Sequence, residues 1–507
     1  MSSLPVSDDA SLPHAEVRAI ILGLMLALLL GALDQTIVAV SLPSISSELQ
    51  GFEIVAWIVS GYLVAATVIT PIYGKLADLY GVRRMLSIAI ALFLAASVAC
   101  ALAQSMPQLV ASRILQGLGG GGLIALAQTT IPQIVSLRER GRYQGYISGV
   151  YAVASVAGPV VGGLLTQHLS WRWVFWINLP LGAAAFFVSR RALARLPVPG
   201  HKRYIDVIGA LLLSAGLVPL LVTITRIGQG VAWYAASNLA LLFFSMTMIV
   251  FYLWHERHAR EPILPLELFK IRNVALSAGL QFLVYFSLIP LLALTPLRFE
   301  TLTGIGADAA GLRLLPLSLA IPAGAFTAGR IMLATGRHKP LQLIGALLVP
   351  FALIGLTPTG ANTVVWISAM MTIAGFAIGL QLPTALVAAQ NAVPMEHMGI
   401  GTASIAFCRS LGGAIGIAVL SALLIALLRV NIGGIAATFT GDGTIRDLLD
   451  RALQTSDVHI RSTVLAAAEN AFRKILYVSA AISLLSIVLA SLVREQPLRG
   501  RVVPPKA

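Results

Sequence analysis

Two charged residues stand where charge is expensive. Asp34 lies inside an apolar run that begins near Val17 and closes on LDQTIVAVSLP at 33–43. Arg113 lies inside a later run, LVASRILQGLGGG at 109–121. An ionised side chain at membrane depth costs roughly 2.5–3.5 kcal/mol on insertion scales, so such groups face a protein interior or a water-filled path. Asp34 is eight residues below the outer end of its run, roughly 12 Å, and Arg113 is six residues down its own, roughly 9 Å. Similar depth makes the pair a candidate site. A neighbouring guanidinium favours a carboxylate and desolvation disfavours it, so an acid held between the two responds to opening and closing of its surroundings. Proton exchange is the chemistry this suits. A static bridge between two helices is the plainer alternative.

Other charges divide by position. GKLADLYGVRRML at 74–86 places Asp78 among Lys75, Arg83 and Arg84, with Gly74 and Gly81 allowing a tight turn. An acid there suits a helix amino terminus, and the run starting near 399–402 is the expected partner. Arg409 lies ten residues into that run, roughly 15 Å deep, with no acid in its own helix. A carbonyl-rich neighbour and an anionic substrate group both remain open for it. Arg313 also falls within an apolar run, whereas Asp206 and Asp308 fall at span ends where interfacial water solvates them. The eight histidines lie in tails, loops or span ends, and Cys100 and Cys408 are the only cysteines. Neither set suggests a metal site or a disulfide framework.

These residues must be positioned by membrane helices. The chain has 507 residues, 57% hydrophobic and 11% charged, against about 25% charged in soluble domains. Its formal net charge of +14 sits in short loops between apolar runs, which is a topology signal and excludes a nucleic-acid surface. Fourteen runs reach spanning length: 17–42, 54–73, 85–104, 107–135, 143–167, 172–190, 205–225, 236–254, 274–297, 308–330, 340–358, 362–388, 400–428 and 472–493. Each must be helical, because hydrocarbon offers no partner for backbone polar groups. With the amino terminus inside, 23 of the 35 basic residues fall in inner loops and tails, which places both termini in the cytoplasm. The polar segment 1–16 has no basic start or cleavage site, so Val17 opens a retained span.

Loop lengths group the spans as six, two and six. The tail 1–16 precedes a bundle at 17–192. An inserted hairpin occupies 205–255, and a second bundle at 274–493 carries an outer loop at 429–471 before the tail 494–507. Thr444–Tyr477 shows apolar residues at helical spacing and reads as an amphipathic excursion on the outer face. Two six-helix repeats suggest a substrate site between them near mid-membrane. Trp57, Tyr62, Gln116, Gln281, Tyr285, Arg313 and Gln381 are the candidates to line it. No HExxH pair, GxSxG elbow or histidine cluster is present, which argues against an enzyme.

The loop GKLADLYGVRRML resembles the signature loop of the major facilitator superfamily, with Gly74, Leu76, Ala77, Asp78, Gly81, Arg83 and Arg84 matching. Leu79 and Val82 replace its usual basic residues. LVASRILQGLGGG resembles the family's span-4 motif through Arg113, Gln116 and Gly117. ASVAGPVVGG at 154–163 resembles its antiporter motif through Gly158, Pro159, Gly162 and Gly163, with Ala154 in place of the first glycine. LDQTIVAVSLP and WRWVFWINLPLG at 171–182 resemble the fourteen-span drug:proton antiporter branch, although Ala39 replaces its asparagine.

The resemblance implies an all-α major facilitator fold and proton-coupled export of small amphipathic compounds by alternating access, with multidrug efflux and antibiotic resistance as its setting. A dedicated metabolite exporter or a proton symporter is the alternative. It implies proton coupling at Asp34 and Arg113, a gate at the signature loop, and an antiport bias from Gly158–Gly163. No cofactor is implied. The partners are a small-molecule substrate, protons and the lipid bilayer of the inner (plasma) membrane. A monomer suffices, with or without a periplasmic adaptor protein.

Charge counting then limits the substrate. If Asp34 is committed to protons, no second acid at depth remains to compensate a dication, and each uncompensated charge costs several kcal/mol. A pump-deficient host carrying this protein should gain resistance to monovalent but not matched divalent quaternary ammonium compounds. Equal protection against both would mean that a deep acid has been overlooked.

Overall fold

The computed structural model describes residues 14–50, 54–55, 57–135, 137–195, 206–228, 231–259, 261–305, 307–358, 364–394, 397–431 and 458–496. The first half comprises α1 (His14–Leu49), α2 (Trp57–Tyr80), α3 (Val82–Ala101), α4 (Met106–Ile134), α5 (Leu137–His168), α6 (Trp173–Trp176) and α7 (Asn178–Ala192). A hairpin follows, α8 (Val207–Gly228) and α9 (Ala236–Glu256). The second half comprises α10 (Arg272–Thr303), α11 (Ala307–Leu312), α12 (Leu315–Thr335), α13 (Lys339–Gly355), α14 (Val364–Ala392), α15 (Met398–Asn431) and α16 (Val458–Leu492). Among the described residues thirteen helical segments are long and apolar enough to cross a membrane, counting α6–α7 and α11–α12 as one each, and α13 adds a shorter apolar helix. No strand occurs among the described residues.

Each half has its own core. In the first, α1 packs on α5 and α7, and α4 is flanked by α2 and α3, around Leu24, Leu28, Phe93 and Leu126. In the second, α14 packs on α12 and α13 while α10 packs on α15 and α16, around Leu317, Leu353, Met371 and Ile378. The halves meet through α5 on α12 and α2 on α15. The hairpin is largely lipid-facing, with Phe243 and Trp254 exposed. Its α8 lies against both α2 and α15.

Three boundaries differ from the sequence expectation. The final helix begins at Val458, so the second part of the expected amphipathic excursion is its extension, held by Val464, Ala468, Phe472 and Ile475 in the core. The apolar positions 445–453 lie outside the described residues. Arg298, expected in an outer loop, is inside α10. There it is buried and donates to the carbonyls of Leu356, Thr357 and Pro358, the C-cap of α13 and the two residues after it. Arg313 occupies the turn between α11 and α12, with its guanidinium 5.2 Å from the Phe299 ring.

Small residues set how closely helices approach. A Cβ at Gly158 would overlap the Thr36 side chain on α1, and one at Gly162 would stand 2.9 Å from the Ile37 carbonyl oxygen. At Gly163 a Cβ would meet nothing within 4 Å, and Pro159 is exposed. Gly158→Val should therefore lower stability by about 1–3 kcal/mol through overpacking, and Gly163→Val should leave it unchanged. Thermal unfolding of the detergent-purified variants checks this, and equal losses would refute the α1–α5 packing.

Candidate functional site

α1 places Asp34 on its buried face, and α4 brings Arg113 from the other side. Arg113 Nη1 donates to Asp34 Oδ2 at 2.6 Å, and both side chains are essentially sealed, at 0% and 1% exposure. The same Nη1 donates to Gln116 Oε1 at 2.7 Å, and Nε donates to the Ile58 carbonyl at 3.1 Å. Arg113 and Gln116 are three residues apart, so one face of α4 presents both. Gln116 Nε2 in turn donates to Asp34 Oδ1 at 3.0 Å. The guanidinium carbon lies 4.4 Å from the centre of the Tyr62 ring, which caps it with an aromatic face.

Two residues complete the cluster that the sequence reading did not single out. Asn178, at the start of α7, donates Nδ2 to Asp34 Oδ1 at 2.8 Å and to Ser97 Oγ at 3.0 Å. Ser97 on α3 donates to the Phe175 carbonyl at 2.9 Å. Asp34 thus accepts from α1's neighbours α4 and α7, and the three donors fill most of the roughly four acceptor sites of an ionised carboxylate. Asn178 is the polar residue of WINLPLG, so its place in an apolar run was the available signal.

The antiporter-motif segment abuts this cluster. Thr36, two residues after Asp34, donates to the Ala154 carbonyl of α5 at 2.9 Å. Gly158 lies against the same threonine.

Between the halves, Asp78 Oδ2 accepts the Ile400 N–H at 3.0 Å. This is the first turn of α15, where unsatisfied amides and the helix dipole favour an anion. A Cβ on Gly399 would overlap the Asp78 carboxylate, and one on Gly74 would overlap Ala403. These glycines let α2 and α15 touch. Gly81 has φ +82°, a left-handed turn that glycine alone enters freely. Lys75 pairs with Glu261 at 2.7 Å, tying α2 to the linker after the hairpin. Arg83 and Arg84 are exposed at the start of α3.

The seven cavity candidates are not brought together. Tyr62 and Gln116 belong to the Asp34 cluster. Gln281 is buried and donates to the Leu382 carbonyl on α14 at 2.7 Å. Gln381 is buried against Gly345 of α13. Trp57 opens α2, and Arg313 sits in the α11–α12 turn. Tyr285 lies on the seam: its ring is 5.1 Å from the Arg409 guanidinium of its own half, and Tyr151 of α5 is its electrostatic neighbour in the other. Gln128 of α4, with its amide oxygen turned to that guanidinium, accepts from Nη1 and Nη2 at 3.0 and 3.1 Å.

Residues 24–417 match the Major Facilitator Superfamily. The chain belongs to this superfamily. It is 32% identical over 406 residues to the multidrug transporter protein MdtP of Bacillus subtilis, covering 80% of this chain and 75% of that protein. It is 34% identical over 422 residues to the efflux pump dotC of Dothistroma septosporum, covering 81% and 72%. The fold matches that of the proton:xylose symporter XylE with a TM-score of 0.62 at 17% identity, covering 95% of this chain and 96% of that one. The protein is a multi-pass membrane transporter with the all-helical major facilitator fold, and not an enzyme.

A double-mutant cycle tests the cluster. Asn178→Ala leaves a buried acceptor short of a donor and should cost about 1–3 kcal/mol. Combined with Asp34→Asn, the loss should fall short of the sum by about 0.5–3 kcal/mol. Strict additivity in thermal unfolding would show that the contact carries no energy.

Proposed function

We propose that this transporter is a proton-coupled exporter of small amphipathic compounds, of the fourteen-span drug:proton antiporter branch, with both termini in the cytoplasm and the plasma membrane as its site. The observation that carries the reading is the sealed Asp34–Arg113 bridge. It is a titratable acid on α1 whose partner, donors and cover come from α2, α4 and α7. The relatives named as a multidrug transporter and an efflux pump support the export direction.

The physical sequence follows from the contacts. With the bridge closed, Asp34 has no exposed edge, so a proton reaches it only as the helices part. Once protonated, it no longer compensates Arg113, and the guanidinium must find another acceptor or water. A buried charge left alone is strongly destabilising, so protonation and helix movement are coupled through one electrostatic demand. Thr36 transmits movement of α1 to α5 through its bond to Ala154. The Asp78 contact with α15 holds the signature-loop side shut. Substrate enters when that contact breaks.

The pairing decides which variant tests the site. Asp34→Asn alone would leave Arg113 buried and uncompensated, a loss of about 3–5 kcal/mol, so normal folding is not expected of it. Asp34→Asn combined with Arg113→Gln should restore much of that stability. Reconstituted in vesicles, the double variant should bind substrate yet show no export driven by an imposed pH gradient. Asp34→Glu should keep partial activity with an altered pH profile. Normal gradient-driven export by the double variant would end the assignment of Asp34 as the coupling acid.

A further inference from the structure

Arg409 is a cation at mid-membrane whose surroundings supply no carboxylate among the ion pairs of the described residues. It stands on α15 eleven residues from the first, Met398, or roughly 16 Å along the axis. It is half-buried, not sealed. Around it converge Gln128 of α4 and Tyr285 of α10. Tyr151 of α5 is an electrostatic neighbour of both Arg409 and Tyr285. Two of these helices belong to each half, so the guanidinium lies on the seam between the bundles.

Arg113 and Arg409 differ in a way that matters. Arg113 has its anion, Asp34, within 2.6 Å and no exposed surface. Arg409 has an amide oxygen and an aromatic face, which orient a guanidinium without neutralising it. The Gln128 oxygen takes one hydrogen from each terminal nitrogen, and a guanidinium carries five N–H donors in a planar fork. Three donors and a full positive charge are left for something that enters the seam. A group at this depth is costly unless compensated, and a carboxylate would compensate it through charge-assisted, fork-matched hydrogen bonds. Tyr285 and Tyr151 would flank the apolar part of such a ligand.

We propose that Arg409, with Gln128, Tyr151 and Tyr285, forms an oxyanion subsite that selects amphipathic compounds bearing a carboxylate. The proposal rests on the export reading for its physiological sense, but its test is one of binding. The full-length protein in detergent is loaded with labelled naphthylacetate, which is then competed by unlabelled acid or by its methyl ester. The acid should compete about tenfold better than the ester, the least that a charge-assisted pair gives. Arg409→Gln should erase that preference by weakening competition by the acid about tenfold more than competition by the ester. Arg409→Lys should keep part of it, since the charge remains but the planar fork is lost.

Equal competition by acid and ester in the unmodified protein would overturn the subsite, as would an absence of saturable acid binding. So would an Arg409→Gln variant that loses acid and ester alike, which would make Arg409 a tie between the halves. The comparison on the unmodified protein stands whether or not the variants fold. Export of a monocationic dye driven by a pH gradient, measured in vesicles of the same preparation, separates the two readings. Dye export without acid preference removes the subsite alone.

Discussion

Everything in the first half is arranged so that one ion pair can exist away from water. Two unit charges cannot be desolvated together unless geometry and hydrogen bonding return most of what hydration gave them. Here the return comes from several helices at once. Gln116 bridges both members of the pair, Asn178 reaches the acid from α7, the Ile58 carbonyl takes the guanidinium Nε, and Tyr62 covers its face. The constraint runs outward from there. A Cβ on Gly120 would overlap the Tyr62 hydroxyl, and one on Gly117 would overlap the Tyr62 backbone. The glycine-rich stretch of α4 is thus the space into which the cover folds.

The second half is built on different terms. Its interior bonds join helices mostly through backbone carbonyls, as with Gln281 on the Leu382 carbonyl and Arg298 on the carbonyls that follow α13. Charge appears at its seam with the first half, at Asp78 against Ile400 and at Arg409 against Gln128 and Tyr285. An electrostatic event inside the first half can therefore be answered by rigid movement of the second.

Charge was the most legible part of this site in the sequence. Asp34 and Arg113 announce themselves because ionised residues are rare in apolar runs, and Asp78 pointed to the start of α15 by its sign. Neutral polar residues were harder to place. Asn178 and Ser97 join the Asp34 cluster, whereas Gln281 bonds to α14 and Gln381 packs on α13, and composition does not separate these roles. Gln116 was assigned to the cavity although its spacing from Arg113 put both on one face of α4. Which face of a helix meets which neighbour is decided by tertiary packing. The same limit explains Arg298, whose span continued past the residue where hydropathy weakened, and the final helix, which starts well before its apolar stretch.

The hairpin raises a mechanical point. α8 lies across α2 and α15, the helices joined by the Asp78 contact, and meets them through Leu213, Leu217 and Leu221 against Val68 and Phe407. Such contacts are many, weak and without preferred direction. Helices can glide over them by a fraction of a turn and exchange one set of methyl contacts for another of nearly equal energy. A brace of directional bonds at this position would have locked the two halves at one angle. An oily one works as a bearing, keeping lipid out of the joint while leaving it free to turn.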